Sequence, residues 1–180
     1  VRYTWQHEDV TAYTMWQILE RQSETIRTGL AEIFGCDAEE IAITRNASES
    51  LEILLMGLDL KSGDEILTTT QDYPRMLTTL RQRELREGLK LKLIKIPIAP
   101  ADVNDIAKAY IDAITPRTRL ILISHQINLT GQINPIKKVC DHARSKGIET
   151  IVDGAHSFAQ FDFRRDDLGC DYFGTSLHKW

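Results

Sequence analysis

Hydrophobic positions along this chain follow two spacings, one typical of helices and one typical of buried strands. Apolar residues recur every three to four positions over residues 11–34 and 102–114, which predicts amphipathic helices. Continuous or alternating apolar runs predict strands at residues 41–44, 65–70, 89–96, 119–124 and 148–152. Further helices are predicted at residues 51–58 and 135–146.

The order of these elements predicts the fold class. Strands that alternate with helices of about a dozen residues are typical of an α/β fold with a mainly parallel sheet and helices on both faces. The run at residues 119–124 is apolar at nearly every position, as expected for a strand covered on both faces. In such a sheet, ligands bind where the loops after the carboxyl ends of the strands converge.

Chemically active side chains follow two of these runs near the end of the sequence. The run at residues 148–152 leads directly to a carboxylate and an imidazole, those of Asp153 and His156. A shorter run at residues 171–174 leads to Ser176, His178 and Lys179. An acid, a hydroxyl, imidazoles and an amine at two strand ends predict a cofactor site.

The segments Asp153-Gly-Ala-His156 and Ser176-Leu-His-Lys179 resemble the class V aminotransferase family of pyridoxal-phosphate (PLP) enzymes. That family includes cysteine desulfurases, isopenicillin N epimerase-like proteins and kynureninase. The resemblance implies the large domain of the PLP-dependent aminotransferases of fold type I, over residues 16–180, after an N-terminal segment 1–15. It also implies that this domain is incomplete at its C-terminal end, and that the small C-terminal domain of family members is absent from this sequence.

The resemblance implies catalytic roles for three residues. Lys179 holds the cofactor aldehyde as a Schiff base and acts as the general base. Asp153 is the anion against the pyridine nitrogen, and His156 orients that carboxylate or contacts the ring oxygen or substrate. The need for an anion has a physical basis. A carboxylate about 4 Å from a cationic nitrogen stabilises the cation by about 4 kcal/mol at an effective dielectric of about 20. This raises the pKa of the nitrogen by about three units.

The same resemblance implies further cofactor contacts. Tyr73 corresponds to the aromatic residue that stacks on the pyridine ring, and Asn128 to the residue that hydrogen-bonds the cofactor 3-oxygen or the substrate. The phosphate is expected at the start of the helix after Asn46, where free backbone amides favour an anion. The residues expected around the phosphate are Ala47, Ser48, Ser176 and His178. The turn departs from the Gly-Thr-Thr-Glu of the family, so Ala47 is expected to contribute only its backbone.

Ordinary structural roles are the alternatives for most of these residues. A capping box formed by Asn46 with the glutamate three residues later explains that turn without a ligand. Tyr73 has the alternative of packing at a sheet edge, Asn128 that of a turn residue and His156 that of a helix cap. His125 is open between a hydrogen-bonded loop histidine and a site residue.

The expected function is that of a PLP-dependent enzyme acting on an amino acid, of the class V aminotransferase or epimerase-like type. Cysteine desulfurases more often carry histidine and glutamine at the positions of Tyr73 and His156, which favours the epimerase-like branch. One alternative is a C–S lyase of the cysteine desulfurase or selenocysteine lyase type. Another is a non-catalytic α/β ligand-binding module or an inactive fragment, although no Gly-x-Gly-x-x-Gly or Walker loop follows a strand.

Composition narrows the expected partners. The chain has 180 residues, a formal net charge of −4 and no apolar run of the length of a membrane span, so neither nucleic acid nor a membrane is expected. Its 3 cysteines show no metal-ligand spacing, which indicates reduced thiols, no metal site and a cytoplasmic location. The resemblance implies a homodimer that binds a small amino-acid substrate.

Overall fold

The computed structural model describes residues 20–179 of the chain. The chain divides into two compact units, Val1–Ile43 and Thr44–Trp180. The proposed N-terminal segment 1–15 lies outside the described residues, so its boundary with a PLP-binding domain stays a prediction. All strands of the described residues belong to the second unit.

The described part of the first unit is a helix followed by a short turn. Helix α1 (Glu20–Phe34) ends at Gly35, which takes the left-handed conformation that glycine adopts most readily, with φ of 77°. The 3-10 turn Ala38–Glu40 follows, and Arg27 donates a hydrogen bond of 2.8 Å to the carbonyl of its first residue. The helix predicted over residues 11–34 is confirmed from Glu20 onward, and its earlier part lies outside the described residues.

The strand predicted at residues 41–44 does not form, so this expectation was wrong. The N–H of Ile41 donates to the carbonyl of Ala38 at 3.1 Å and closes the 3-10 turn instead. Ile43 is 48% exposed. A short apolar run becomes a stable strand only when it buries a face, and this run does not bury one.

The second unit is built on a five-stranded sheet whose neighbouring strands are all parallel. The strands in chain order are β1 (Glu65–Thr69), β2 (Lys90–Ile94), β3 (Thr118–Ser124), β4 (Glu149–Asp153) and β5 (Tyr172–Gly174). Their order across the sheet is β2-β1-β3-β4-β5. The predicted parallel α/β fold is confirmed.

Helices cover both faces of this sheet, as the sequence predicted. The helices of the second unit are α2 (Ala47–Gly57), α3 (Pro74–Glu87), α4 (Asn104–Ala113), α5 (Ile136–Ser145) and the short α6 (Arg165–Leu168). Helices α2 and α3 contact each other, and α4 contacts α5. Pro74 occupies the first turn of α3, where its missing N–H costs no helical hydrogen bond.

A hydrophobic core lies between the sheet and helices α2 and α3. Its buried residues are Ala47, Leu51, Leu55, Ile66, Met76, Leu80, Leu89, Leu120, Leu122, Ile151 and Ala155. Leu67 and Ile121 are the neighbours of core residues along their strands, so they face the opposite side, and both are fully buried. By the same alternation, Asp153 shares the α2–α3 face with Ile151, two positions earlier.

The strand order reverses between β1 and β3. From β1 the chain passes to the edge strand β2, returns to β3 on the other side of β1, and then continues to β4 and β5. The connections after β1 and β3 therefore leave in opposite directions and open a crevice at the carboxyl ends of these strands. Tyr73 follows β1 and Asn128 follows β3, so the fold brings both to this crevice.

Candidate active site

A cleft of about 570 Å³ opens at the carboxyl ends of the strands. Its lining includes all nine residues that the sequence predicted for a cofactor site, namely Ala47, Ser48, Tyr73, Asn128, Asp153, His156, Ser176, His178 and Lys179. They come from the start of α2, the turn before α3, and the ends of β3, β4 and β5. The fold thus brings the predicted residues together, while their chemical roles stay predictions.

Asp153 ends β4 at the floor of the cleft and is 8% exposed. Its carboxylate accepts a hydrogen bond of 2.9 Å from the N–H of Ala155. The next residue, Gly154, donates its N–H to the carbonyl of Gly174 at 2.8 Å and so joins the ends of β4 and β5. A Cβ atom on Gly154 would lie 2.0 Å from the ring of Phe173, so this close packing requires glycine.

The environment of Asp153 raises the pKa of its carboxyl group to about 6. Burial is the largest cause, and the nearby Asp72 carboxylate adds to it; the hydrogen bond from Ala155 and the charge of Lys179 act in the opposite direction. Among the described residues, no lysine, arginine or histidine forms an ion pair with Asp153. A cation bound beside this carboxylate would therefore favour its ionised form.

Lys179 and His156 meet at the mouth of the cleft. Lys179 belongs to the 3-10 turn Leu177–Lys179 after β5, and its Nζ lies 3.1 Å from Nε2 of His156, which follows β4. Burial, together with the charge of Lys179, lowers the pKa of His156. The imidazole is therefore neutral near pH 7, and its Nε2 can accept a hydrogen bond from the lysine ammonium.

The start of α2 differs in detail from the expectation. The predicted cap is confirmed, because the Asn46 side chain accepts the N–H of Glu49 at 3.0 Å. The carboxylate of Glu49, however, accepts the N–H of Arg45 at 2.6 Å, one residue before the position of a regular capping box. The N–H of Ala47 donates to Oγ of Ser176 at 2.8 Å, so two residues predicted around the phosphate are bonded to each other.

Three further predicted residues have accessible side chains in the cleft. Tyr73 precedes α3, makes no side-chain capping bond and is 41% exposed. Asn128 lies in the turn after β3, as its structural alternative predicted, and it is exposed and lines the cleft as well. His178 is exposed in the turn after β5. A ligand in the cleft can therefore reach all three.

His125 is not part of the cleft lining. Its ring is buried edge-on against Phe161 and Phe163, with centroid separations of 5.1 Å and 4.7 Å. Burial lowers the pKa of His125 to about 4, and its Nδ1 has no hydrogen-bond partner among the described residues. His125 is therefore a packed neutral side chain, which differs from both alternatives that the sequence left open.

Sequence reasoning missed Asp72, which follows β1 and is 3% exposed. Its carboxylate accepts hydrogen bonds from the ends of two strands, through Thr69 of β1 and Ser124 of β3. The available signal was an aspartate after a predicted strand and directly before Tyr73. Asp72 itself does not line the cleft, but lining residues that were not predicted include Arg45, Arg75, Ser124 and Gln126.

Two properties of residues 20–179 bear on possible partners. No helix in this part of the chain combines the length and the apolar character needed to cross a membrane. No cluster of three or more histidine, cysteine, aspartate or glutamate side chains within it could hold a metal ion.

The sequence of this chain matches a known family. The model of the family described as aminotransferase class-V matches residues 4–180, and the chain belongs to that family. The resemblance read from the sequence is confirmed. The chain is 34% identical over 154 residues to isopenicillin N epimerase from Streptomyces clavuligerus, a match that covers 86% of this chain and 39% of that protein.

Solved structures with the same architecture include two enzymes that act on sulfur compounds. The cystine C–S lyase C-DES, in complex with its product cysteine persulfide, has a TM-score of 0.84 and 27% identity, over 99% of this chain and 49% of that one. Another structure of C-DES carries glycine covalently linked to its PLP cofactor. Cysteine desulfurase CsdA from Escherichia coli has a TM-score of 0.74 and 26% identity, over 91% and 42% of the two chains. The chain thus spans less than half the length of these relatives.

The raised pKa of Asp153 predicts how the stability of the cofactor-free protein depends on pH. The carboxyl ionises near its ordinary value of 3.8 in the unfolded chain and at about 6 in the folded protein. Between these values the folded state binds more protons, so the free energy of unfolding falls as the pH rises through this window. Above it, the ionised carboxylate destabilises the folded state by roughly 3 kcal/mol.

We therefore expect Asp153→Asn to stabilise the cofactor-free protein by roughly 2–3 kcal/mol at pH 7.5 and to have little effect at pH 4. The amide is neutral at both pH values, and its oxygen can still accept the N–H of Ala155. Urea denaturation at the two pH values measures the difference. An equal effect of the substitution at both would contradict the raised pKa.

Proposed function

We propose that this chain forms the cofactor-binding part of a PLP-dependent enzyme that acts on an amino acid, of the aminotransferase or epimerase-like type. The observation that carries the proposal is the convergence of the nine predicted residues on one cleft. The similarity to isopenicillin N epimerase supports the epimerase-like branch. Tyr73 and His156, which depart from the residues common in desulfurases, support the same branch.

The donor set of the cleft fits PLP. Asp153 is a buried carboxylate without a cationic partner among the described residues, which suits a protonated ring nitrogen. Lys179 is an accessible amine at the next strand end, where it can bind the cofactor aldehyde. Tyr73 is exposed beside them and can cover one face of the ring. When bound, PLP supplies an electron sink for the negative charge that develops on the substrate carbon.

Ser176 has the hydrogen bonds needed at the phosphate end of the cleft. Its Oγ accepts the N–H of Ala47, which leaves the hydroxyl proton free to be donated to a phosphate oxygen. Ser48 is the next residue of α2, and its N–H is among the helix amides that have no intrahelical acceptor. The helix dipole adds to the attraction for an anion at this end.

His156 prepares Lys179 for proton transfer. The lysine must be a neutral amine to bind an aldehyde or to remove a proton from the substrate α-carbon. A neutral imidazole 3.1 Å from its Nζ orients the amine by a hydrogen bond. Asn128 also lines the cleft, and its side-chain amide can donate to the ring oxygen or to the substrate.

A C–S lyase is the second candidate, and the likeness to C-DES supports it. Chemistry that uses a cysteine nucleophile has no support from the described cleft, since no cysteine of residues 44–179 lines it. Burial raises the pKa of Cys140 to about 11 and that of Cys170 to about 12, so both are protonated and unreactive at neutral pH.

The proposal extends to the assembly and location of the protein. The family resemblance supports a homodimer that takes a small amino acid as substrate. Cys140 and Cys170 are free thiols, which supports a reducing compartment such as the cytoplasm.

Borohydride reduction tests the cofactor assignment. The full-length protein purified with PLP is expected to be yellow, and reduction should fix the cofactor covalently to the peptide that contains Lys179. Lys179→Ala should abolish the adduct, since no other lysine of residues 44–179 lines the cleft. Lys146→Ala, which alters an exposed lysine after α5, should retain it. Peptide mass spectrometry that finds the adduct unchanged in Lys179→Ala would contradict the assignment.

Product analysis separates the two candidate reactions. We expect the full-length protein to invert the configuration of an amino acid at its α-carbon, or to transfer its amino group to a 2-oxo acid, without releasing sulfur from cysteine or cystine. Both activities should be lost in Lys179→Ala. Chiral chromatography detects inversion, a 2-oxo acid assay detects transfer, and a sulfide assay detects lyase activity. Sulfur release as the main activity would replace the first candidate with the second.

A further inference from the structure

Asp72 joins the two strands between which the strand order of the sheet reverses. One carboxylate oxygen accepts the N–H of Thr69 at 2.8 Å, its hydroxyl at 2.9 Å and the hydroxyl of Thr68. The other oxygen accepts the N–H of Ser124 at 3.2 Å and its hydroxyl at 2.6 Å. These five hydrogen bonds bind the carboxyl end of β1 to that of β3, beneath the crevice.

Within the described part of the chain, no positively charged side chain pairs with the carboxylate of Asp72. All its donors are backbone amides or hydroxyls, and none of the lysines, arginines and histidines within residues 20–179 forms an ion pair with it. The donors satisfy the carboxylate oxygens but add no net charge. The field of a buried charge at 3% exposure is weakly screened, so it extends into the adjoining cleft.

This charge acts on Asp153. Ser124, which donates to Asp72, is the register partner of Asp153 in the neighbouring strand, so the two carboxylates lie on either side of one residue. The Asp72 carboxylate is one of the causes that raise the pKa of Asp153. The other polar neighbours that affect Asp153 are the Ala155 N–H and the Lys179 ammonium, and both act in the opposite direction.

Asp72 also determines the position of Tyr73. Its own N–H donates to the carbonyl of Thr69 at 3.4 Å, which completes a tight turn immediately before Tyr73. Tyr73 has no side-chain capping bond of its own at the start of α3. The hydrogen bonds between Asp72 and Thr69 thus hold the backbone of the turn from which the Tyr73 side chain enters the cleft.

We propose that Asp72 is a positioning residue of the PLP cleft, whose charge acts together with Asp153 on the ring nitrogen and whose hydrogen bonds fix the turn that carries Tyr73. The proposal rests on the proposed function. Asp72 is not part of the cleft lining, so it acts through its neighbours. Without a cofactor the two carboxylates repel each other, whereas a protonated ring nitrogen attracts both.

This arrangement predicts two effects of opposite direction. Removal of the Asp72 charge makes Asp153 easier to ionise in the cofactor-free protein, since a repelling charge is gone. The same removal weakens PLP binding, since an attracting charge is gone. A purely structural role of Asp72 does not predict this pair of effects.

The test compares Asp72→Asn with Glu65→Gln in the full-length protein. Glu65 is a matched control because it is also a buried carboxylate, 5% exposed, but it lies at the opposite end of β1 and accepts hydrogen bonds from Thr115 and Thr118. We expect Asp72→Asn to lower the pKa of Asp153 by about half a unit or more, and to weaken PLP binding about threefold or more. Glu65→Gln should change neither value.

Carbon-13 NMR titration of the Asp153 carboxyl measures the first effect, and titration with PLP measures the second. If Asp72→Asn does not fold, Asp72→Ser takes its place, because the serine hydroxyl is neutral and can still accept the N–H of Thr69. An unchanged Asp153 titration in Asp72→Asn, or equal shifts in the Asp72 and Glu65 variants, would overturn the proposal.

Failure of the proposed function gives a different result. A wild-type protein that binds no PLP overturns the cofactor assignment, and with it the part of this proposal that concerns the ring nitrogen. The coupling between Asp72 and Asp153 is measured without cofactor, so it still shows whether Asp72 acts on the cleft carboxylate. The PLP titration therefore tests the cofactor assignment, and the titration of the Asp153 carboxyl tests the coupling to Asp72.

Discussion

The cleft is organised around a buried carboxylate at the end of β4, that of Asp153, which has no ion-pair partner among the described residues. Asp153 is held there by the Ala155 N–H and by the close packing of Gly154 against Phe173, which joins β4 to β5. Burial makes its ionised form unfavourable in the empty cleft. We propose that a cationic ring nitrogen offsets this cost. The fold is then less stable without the cofactor, and binding of the cofactor is correspondingly more favourable.

The groups around this carboxylate lie at the ends of regular elements. Lys179 and His156 follow neighbouring strands, and Ala47 and Ser176 meet where α2 begins. A parallel sheet brings such ends to one edge, so short segments far apart in sequence can surround a single ligand. Nearly the whole sequence supports membership of the family. The reaction that is catalysed depends instead on the contacts of individual cleft residues with the substrate.

Most residues of the cleft could be predicted, because they directly follow strands that are recognisable as apolar runs in the sequence. Apolar runs located the strands, and the residues after them, such as Asp153 and Tyr73, had to lie at the same edge. The bond between Ala47 and Ser176 was not predictable, since it depends on how α2 packs against the end of β5. The role of Asp72 was not predictable either, because its hydrogen-bond donors come from two strands that meet only in the folded protein. The strand predicted at residues 41–44 failed for a different reason, since this apolar run has no face to bury.

The measurement that tests the central claim most directly is the protonation state of the cofactor ring nitrogen in the full-length protein. Nitrogen-15 NMR of PLP labelled at the ring nitrogen distinguishes the protonated from the unprotonated form. We predict a protonated nitrogen in the wild-type protein at pH 8 and an unprotonated nitrogen in Asp153→Asn under the same conditions. An unprotonated nitrogen in the wild type, or the same protonated signal in both proteins, would contradict the role assigned to Asp153.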